Sequence, residues 1–391
     1  MGPGDYVEVP YPWRAAIGVG SPHAARYYAS LVGQTLNYRM PASRRFGPLL
    51  ALAGRRGLPE RPIARALRAL PARRRPELDE LARSLERAWP RLAEGSLRLP
   101  AKAPELTLLA LQRSAALTVF AFGESHGPLL VAKLPKGDGV AADAEVAALE
   151  EAGETGLAPR PLGSVDGARV QEAIEGAPMR VTPLTPAKAR SLGWPDSLRQ
   201  VCDGLAALAA ATPKPNAPSS GAALDSIDLA LAEGGFSARA QKLVRAARGE
   251  IAGSGRAVLQ HGDSAAQNCL FANGRLSGLV DWENAKPSGV PGFDVLNALV
   301  AYLDFGVGLI SWSQELVIDT FEAAWLHSDF GDQARASTER ALVAAGLPES
   351  LREPMEVACF AARTGRRLAK PAAYPTAVAT EARRLELLCA G

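Results

Sequence analysis

The residues V-L-Q-H-G-D-S-A-A-Q-N-C-L-F, from Val258 to Phe271, form the most informative pattern in this chain. An apolar run leads into H-G-D at positions 261–263, and Asn268 follows five residues after the aspartate. A second segment, G-L-V-D-W-E-N-A from Gly278 to Ala285, places Asp281 directly after apolar residues in the same way. Apolar runs of this kind are typical of short buried strands, so both acidic residues are expected where a strand gives way to a loop.

Polar side chains at the ends of two buried segments can converge on one cation. Magnesium prefers hard oxygen ligands and keeps several waters and substrate phosphates in its coordination shell. A site that takes only Asn268 and Asp281 from the protein suits this ion, and Asp263 would then remain as a base. The alternative is that Asp263 is an ordinary turn aspartate and that Asn268 is a helix-capping amide.

The spacing H-G-D-x-x-x-x-N followed by D-W-E resembles the aminoglycoside phosphotransferase and choline kinase group, which are relatives of protein kinases. The resemblance implies that Asp263 accepts the proton of the substrate hydroxyl, while Asn268 and Asp281 bind Mg²⁺. It also implies that His261 braces the catalytic loop and that Asp294, in the later segment P-S-G-V-P-G-F-D, is a structural acid.

The resemblance continues upstream in the expected order. Lys133, in L-L-V-A-K-L, resembles the strand lysine that contacts the phosphates of ATP, and Glu145, twelve residues later, resembles the acid that pairs with it. An ion pair to a packed helix would lower the entropy that a lysine loses on binding phosphate, which is up to about 2 kcal/mol. Glu150 and Glu151 are the alternatives to Glu145.

The resemblance also implies three further residues that contact the nucleotide. Glu172 and Ile174, in V-Q-E-A-I-E-G, resemble the hinge whose backbone meets the adenine, and Ser114 lies in the turn that would face the phosphates. That turn, Q-R-S at positions 112–114, has no glycine, although glycine usually lets backbone N–H groups approach phosphate oxygens.

The pattern along the chain predicts an α+β fold. Leu-, Val- and Phe-rich runs between residues 106 and 134 predict antiparallel strands, and a helix is expected at Ala141–Ala152. The pattern is mostly helical from Pro186 onward. The resemblance implies a protein-kinase-like two-lobe fold, with ATP between a small antiparallel-sheet lobe that carries one key helix and a larger, mostly helical lobe.

The expected boundaries are an N-terminal helical extension at 1–103, an N-lobe at 104–176 and a C-lobe at 177–391. The first 100 residues contain 17 arginines and only 8 acidic residues. Two short amphipathic helices are predicted between Leu58 and Leu97. The arginine run at 73–75 is expected on a solvated helix face, with phosphate or anionic lipid as the alternative partner.

Composition excludes several classes of protein. The chain has 391 residues, of which 47% are hydrophobic and 22% charged, as in a globular protein. Its 4 cysteines are widely spaced, which argues against a disulfide scaffold or a zinc site. The start of the chain does not resemble a secretory signal, and the apolar stretch Val295–Ile310 contains polar residues, so a buried helix and a cytoplasmic location are expected. Neither a nucleic-acid partner nor a transmembrane segment is expected.

One other catalytic motif is present. G-E-S-H-G at positions 123–127 fits the nucleophile elbow of serine hydrolases, but that elbow must join a strand to a helix. Here the motif lies between two strand-like runs, which favours a hairpin turn.

The leading hypothesis is therefore an ATP- and Mg²⁺-dependent kinase that phosphorylates a hydroxyl group of a small molecule. A sugar, an amino alcohol or a related metabolite is favoured over an aminoglycoside, because residues 284–391 are only mildly acidic and would attract a polycation weakly. A catalytically silent nucleotide-binding scaffold and transfer of AMP instead of phosphate are the alternatives.

Overall fold

A computed structural model of the chain describes residues 5–9, 15–18, 23–28, 72–112, 116–124, 127–135, 140–217, 221–311, 313–370 and 376–390. The chain divides into two compact units. The first, here called the sheet unit, falls within residues 1–153, 158–178 and 270–273, and the second, the helical unit, within 154–157, 179–269 and 274–391. The predicted α+β fold class, with an antiparallel sheet and a larger helical part, is confirmed.

The sheet unit is built on one antiparallel sheet of 8 strands in the order β3-β1-β2-β4-β5-β6-β8-β7. The strands are β1 (Asp5–Val9), β2 (Ala15–Gly18), β3 (Ala72–Arg74), β4 (Thr107–Gln112), β5 (Ala116–Phe122), β6 (Leu130–Pro135), β7 (Pro161–Val165) and β8 (Ala168–Glu172). The helices are α1 (Pro76–Glu94) and α2 (Val140–Ala152), and residues 23–28 are also helical. The strands and the helix predicted after residue 104 are therefore confirmed.

Both faces of this sheet are buried, which explains why its central strands are almost wholly apolar. Side chains alternate between faces along a strand, so Leu108 of β4 joins one hydrophobic cluster and Leu109 joins another. Helix α1 covers the first face with leucines at helical spacing and with Trp89, whose indole N–H donates to the carbonyl of Pro100 at 2.8 Å. The second cluster includes residues of the 23–28 helix, among them Tyr28.

The residues before the predicted N-lobe contribute strands to the same sheet. β2 pairs with β4, where Ile17 lies opposite Leu109, and β1 lies between β2 and β3. Arg73 and Arg74 are exposed on β3, so the expectation that the arginine run lies on a helix face is wrong. Pairing of β3 with β1 imposes the extended conformation. From residue 72 onward this region contains one helix of 19 residues, and the part of the two-helix prediction before residue 72 lies outside the described residues.

The helical unit consists mainly of helices with one small sheet. Its helices are α3 (Pro186–Ala189), α4 (Asp196–Ala211), α5 (Gly221–Glu233), α6 (Ala238–Gly253), α7 (Phe293–Gly308), α8 (Gln314–Trp325), α9 (Asp329–Ala344), α10 (Arg352–Leu368) and α11 (Ala377–Ala390). Strands β10 (Lys214–Pro215), β11 (Arg256–Gln260) and β14 (Lys286–Gly289) form an antiparallel sheet with β11 in the centre. The remaining strands among the described residues are β9 (Ala177–Pro178), β12 (Cys269–Ala272) and β13 (Arg275–Leu279).

Most side chains of helix α7 are buried. The apolar stretch Val295–Ile310, which predicted a buried helix, corresponds to it, and Leu296, Leu299 and Leu303 are each at most 1% exposed. Among the described residues, none of the helices combines the length and the apolar composition needed to cross a membrane.

A buried ion-pair network joins α7, α10 and α11. Arg363 contacts both carboxylate oxygens of Glu381, with Nη2 to Oε1 at 2.6 Å and Nε to Oε2 at 3.0 Å. Arg384, which is 1% exposed, forms an ion pair with Asp304 and lies 3.5 Å from Glu381. Burial alone would raise the pKa of Glu381, but the charges of Arg363 and Arg384 outweigh this effect and lower the pKa to about 2.

Candidate active site

The loop at residues 261–268, here called the catalytic loop, follows β11 and precedes β12. Residues 257–260 of β11 are buried, so the chain leaves the core where the loop begins. The loop carries both Asp263 and Asn268, and the buried strand explains why apolar residues precede them in the sequence.

Asp294, in the first turn of α7, anchors the start of this loop. Its Oδ2 accepts a hydrogen bond from the backbone N–H of His261 at 2.6 Å, and its Oδ1 accepts one from Gly262 at 3.0 Å. The hydroxyl of Ser264 donates to the backbone carbonyl of Asp294 at 2.7 Å. Burial raises the pKa of Asp294, and the two N–H groups oppose that shift. The loop is thus fixed to the N-terminus of a buried helix, where a negative charge is favourable.

His261 joins the catalytic loop to the segment that carries Asp281. Its Nε2 lies 3.0 Å from the carbonyl oxygen of Val280, and its Nδ1 accepts a hydrogen bond from the backbone N–H of Asp263 at 3.3 Å. The ring packs edge-on against Trp282, with 4.6 Å between the ring centroids. These two hydrogen bonds assign the ring proton to Nε2, so the geometry suits a bracing role better than that of a general base.

Asn268 positions the carboxylate of Asp263. Its side-chain N–H₂ donates to Oδ2 of Asp263 at 3.0 Å and to the backbone carbonyl of Asp263 at 2.9 Å. Its own backbone carbonyl accepts from Val280 at 2.9 Å. Since the amide nitrogen faces two acceptors, the amide oxygen is the atom that could bind a cation.

The environment of Asp263 makes its carboxylate more basic than usual. Burial raises the pKa of Asp263, the imidazole of His261 lowers it, and the negative charge of Asp281 raises it again, for a net upward shift. Asp281 is therefore close enough for its charge to act on Asp263. A carboxylate with a raised pKa is a better proton acceptor near neutral pH.

Asp281 has a left-handed backbone conformation, with φ 70° and ψ 57°. This conformation is uncommon for residues other than glycine, and aspartate is one of the few that adopt it. Its carboxylate and the amide oxygen of Asn268 are hard ligands, as Mg²⁺ prefers. Within the described residues, no group of three or more His, Cys, Asp or Glu side chains could hold a metal. The two-ligand donor set fits an ion that takes its other ligands from water and phosphate.

Gly262 is required by the shape of the loop. Its φ is +79°, and a Cβ atom at this position would lie 2.1 Å from the backbone carbonyl oxygen of Asn284. Any other residue must therefore displace the backbone after Asp281 as well as adopt a strained conformation.

We expect Gly262→Ala to lower the free energy of unfolding by about 1 to 3 kcal/mol and to reduce activity, because the carbonyl of Asn284 must move. Gly274→Ala is the matched control, since Gly274 also has a positive φ, +77°, but a Cβ atom there would have nothing within 4 Å. Urea unfolding of both variants tests this. Equal losses in the two variants would show that only backbone strain matters at Gly262.

In the sheet unit, Lys133 of β6 forms an ion pair with Glu145 of α2 through Nζ and Oε1. The two side chains are only 14% and 10% exposed. Of the three acids considered for this role, the structure pairs the lysine with Glu145 rather than with Glu150 or Glu151.

A second ion pair runs parallel to the first. Arg169 of β8 lies directly opposite Lys133 in the strand pairing, and its Nη2 is 2.9 Å from Oδ1 of Asp143, also on α2. Two neighbouring strands therefore hold the same helix, and this arrangement keeps Glu145 at the lysine.

The predicted hinge lies at the end of β8. The carboxylate of Glu172 accepts hydrogen bonds from the hydroxyl of Ser96 and, at 3.0 Å, from the backbone N–H of Leu97. Its side chain therefore holds the turn after α1, so a nucleotide contact at Glu172 would use the backbone. Ile174 is buried at the same place, and both assignments stay predictions. Ser114 lies outside the described residues.

The hydrolase alternative is wrong. The strands on either side of G-E-S-H-G, β5 and β6, pair with each other in antiparallel fashion, for example at Ala121 and Leu130. The motif therefore connects two strands of one hairpin, as expected, and does not lead from a strand into a helix.

Sequence reasoning missed two residues that support the site. Ser264 ties the catalytic loop to α7, and Ser96 binds Glu172. Their partners are 30 and 76 residues away in the chain, so no local pattern indicated these contacts.

Residues 106–338 match the model of the phosphotransferase enzyme family, and no curated protein sequence matches the chain. A macrolide 2'-phosphotransferase from Brachybacterium faecium is similar in structure, with a TM-score of 0.41, 17% identity and coverage of 80% of this chain and 98% of that chain.

Two other solved structures are similar at the same level. An ethanolamine kinase from Plasmodium vivax has a TM-score of 0.39 and 14% identity, and the alignment covers 70% of this chain and 79% of that chain. A choline kinase from Cryptosporidium parvum has a TM-score of 0.38 and 10% identity, with 72% and 88% covered. Because these TM-scores lie below 0.5, the assignment to a family depends on the sequence match over residues 106–338.

Proposed function

Because the chain belongs to the phosphotransferase enzyme family, we propose that it transfers the γ-phosphoryl group of ATP to a hydroxyl group of a small molecule. The observation that carries the proposal is the geometry of the catalytic loop. The side-chain nitrogen of Asn268 lies 3.0 Å from Oδ2 of Asp263, and the charge of Asp281 acts on the same carboxylate. An acid with a raised pKa beside two oxygen ligands for a cation suits phosphoryl transfer.

In this proposal Asp263 orients the acceptor hydroxyl and takes its proton. The hydroxyl oxygen forms a bond to the γ-phosphorus, and the bond from phosphorus to the bridging oxygen breaks, with its electron pair leaving on ADP. Asn268 and Asp281 would hold Mg²⁺, which when bound neutralises charge on the phosphates. Most of the rate enhancement would come from positioning and charge neutralisation, since the transition state of phosphoryl transfer is loose.

Lys133 is assigned to the phosphates of the nucleotide. Its side chain is already ordered by the ion pair with Glu145, which lowers the entropy lost when it binds ATP. Glu172 and Ile174 are assigned to the adenine through their backbone, and Ser114 to the phosphates.

Replacing Lys133 by methionine is expected to lower kcat/KM for ATP at least about tenfold, a loss of about 1.4 kcal/mol in transition-state stabilisation. Arg169→Met is the matched control, because it removes the parallel ion pair to α2 but not the lysine. Steady-state kinetics with ATP as the varied substrate test this. Equal losses in both variants would mean that Lys133 only positions α2.

The proposed function is tested by ligand binding followed by turnover. We expect Mg-ATP to raise the melting temperature of the protein and at least one compound in a panel of sugars, amino alcohols and hydroxy acids to stimulate ADP release. Mass spectrometry of the product should show one added phosphate. Binding without turnover on any acceptor would support a silent scaffold, and an added adenylate would contradict phosphoryl transfer.

A further inference from the structure

A group of cations surrounds Asn297 in the helical unit. Arg363 and Arg366 lie one turn apart on α10, and both donate to Oδ1 of Asn297, from Nη1 at 3.0 Å and from Nη2 at 3.4 Å. Lys286, on β14, is close enough to Arg366 for that charge to lower its pKa, after the larger effect of burial. Three positive charges therefore lie in one partly buried region.

The carboxylates of this region are already engaged. Glu381 binds Arg363 through both of its oxygens, and Asp304 pairs with Arg384. Asp294 accepts hydrogen bonds from two backbone N–H groups of the catalytic loop. Each acid thus has partners other than Lys286 and Arg366.

Lys286 and Arg366 share Asp294 as the acid whose charge acts on both of them. Among the residues that the structure describes, neither forms an ion pair within 4.0 Å with a carboxylate. Both side chains are partly exposed to solvent. Burial and the neighbouring charge of Arg363 lower the pKa of Arg366. Two cations that are partly removed from water and share one carboxylate would be stabilised by a further anion.

This cation pair, Lys286 and Arg366, adjoins the catalytic loop. Asn297, which contacts Arg366, lies one helical turn after Asp294, which anchors the loop. Lys286 lies opposite Gln260, the residue just before the loop, in the pairing of β11 with β14. The charges of Lys286 and Arg366 also reach Asp294, since both lower its pKa after the larger effects of burial and the backbone hydrogen bonds.

We infer that the acceptor carries an anionic group, a carboxylate or a phosphate, that binds Lys286 and Arg366 while its hydroxyl lies at Asp263. This inference depends on the proposed kinase function. A cationic acceptor such as an amino sugar would be repelled by the same pair. The mildly acidic composition of residues 284–391 does not reveal this, because composition does not show where each charge lies in the folded chain.

Matched acceptors that differ only in charge test the substrate class. ADP release is measured with glycerol, glycerate and glycerol 3-phosphate, and with glucose, glucuronate and glucose 6-phosphate. We expect kcat/KM to be at least about tenfold higher for an anionic member than for its neutral partner. Comparing glycerate with glycerol 3-phosphate, and glucuronate with glucose 6-phosphate, shows whether the site prefers a carboxylate or a phosphate. A preference for the neutral compounds would overturn the inference.

Variants test the two side chains. Lys286→Gln and Arg366→Gln are expected to raise KM for the anionic acceptor at least about tenfold while KM for ATP and kcat change little. Arg366→Lys, which keeps the charge, should recover part of the affinity and guards against misfolding of the glutamine variant. Arg245→Gln, an exposed arginine of α6, is the control. If the two residues only stabilise Asp294, kcat will fall equally for neutral and anionic acceptors, which contradicts the inference.

A binding measurement separates this inference from the proposed function. Sodium sulfate is titrated into the full chain saturated with Mg-ADP, and melting temperatures are compared with those of Lys286→Gln. Sulfate stabilisation that requires Lys286, with no turnover on any acceptor, supports the anion site and refutes the kinase function. Turnover of neutral acceptors with no effect of sulfate refutes the anion site and leaves the kinase function standing.

Discussion

Replacing Asp263 by alanine is expected to lower kcat at least about a thousandfold, because no other group would orient the acceptor hydroxyl and take its proton. Affinity for Mg-ATP should stay within about threefold, since Asp263 is assigned to the acceptor and not to the nucleotide. In the variant, Asn268 loses the carboxylate that its amide nitrogen contacts at 3.0 Å but keeps its hydrogen bond to the backbone of residue 263. The loop should therefore remain folded.

The measurement combines single-turnover phosphate transfer with calorimetric titration of Mg-ATP. Asp225→Ala, at an exposed aspartate of α5, is the control and should behave like the parent protein. Transfer at the parental rate in the Asp263 variant would exclude the proposed mechanism. If the variant loses both ATP binding and turnover, Asp263 instead acts on the nucleotide or its metal.

Replacing Glu381 by glutamine is expected to lower the free energy of unfolding by about 3 to 5 kcal/mol, because it leaves Arg363 and Arg384 buried without their shared carboxylate. Both oxygens of Glu381 contact Arg363, and all three side chains are buried. Glu250→Gln, at an exposed position of α6, should change stability by less than about 0.5 kcal/mol. Urea unfolding followed by circular dichroism measures the free energy of unfolding of both variants. If Glu381→Gln loses as little stability as Glu250→Gln, water or other groups compensate the charges of the two arginines.

The same network predicts how the difference depends on pH. The pKa of Glu381 falls from 4.5 to about 2 in the folded protein. The stability that the ionised Glu381 carboxylate contributes to the folded protein is therefore complete above pH about 4.5 and is lost as the pH falls toward about 2. The gap in stability between the parent and the Glu381→Gln variant should therefore be full at pH 7 and smaller at pH 3. A gap that stays constant over this range would contradict the assigned pKa.

The parts of the site that depend on local spacing could be predicted from the sequence. Asp263 and Asn268 are five residues apart in one loop, and their contact follows from a short chain segment after a buried strand. Lys133 and Glu145 lie on neighbouring elements, β6 and α2, and are twelve residues apart in the chain. In each case the apolar pattern shows where the element ends and hence where the polar side chain emerges.

The parts that depend on distant contacts could not be predicted in the same way. The first strands escape recognition because β1 and β2 are only 5 and 4 residues long, and their stability comes from pairing with one another and with β4. Lys286 and Arg366 look like ordinary charges in the sequence, because composition does not reveal which acids already have partners. Pairing partners and counterions are properties of the folded chain.

The order of strands in the sheet bears on how the protein can be shortened. The family match begins at residue 106, yet β2 occupies the edge of β4, and Leu85 and Trp89 of α1 cover the adjoining face. A fragment cut at that point would carry an open hydrogen-bonding edge and a bare apolar surface, which are the ordinary causes of aggregation. The catalytic module of this protein therefore includes its amino-terminal segment, and any shortened version made for expression should retain it.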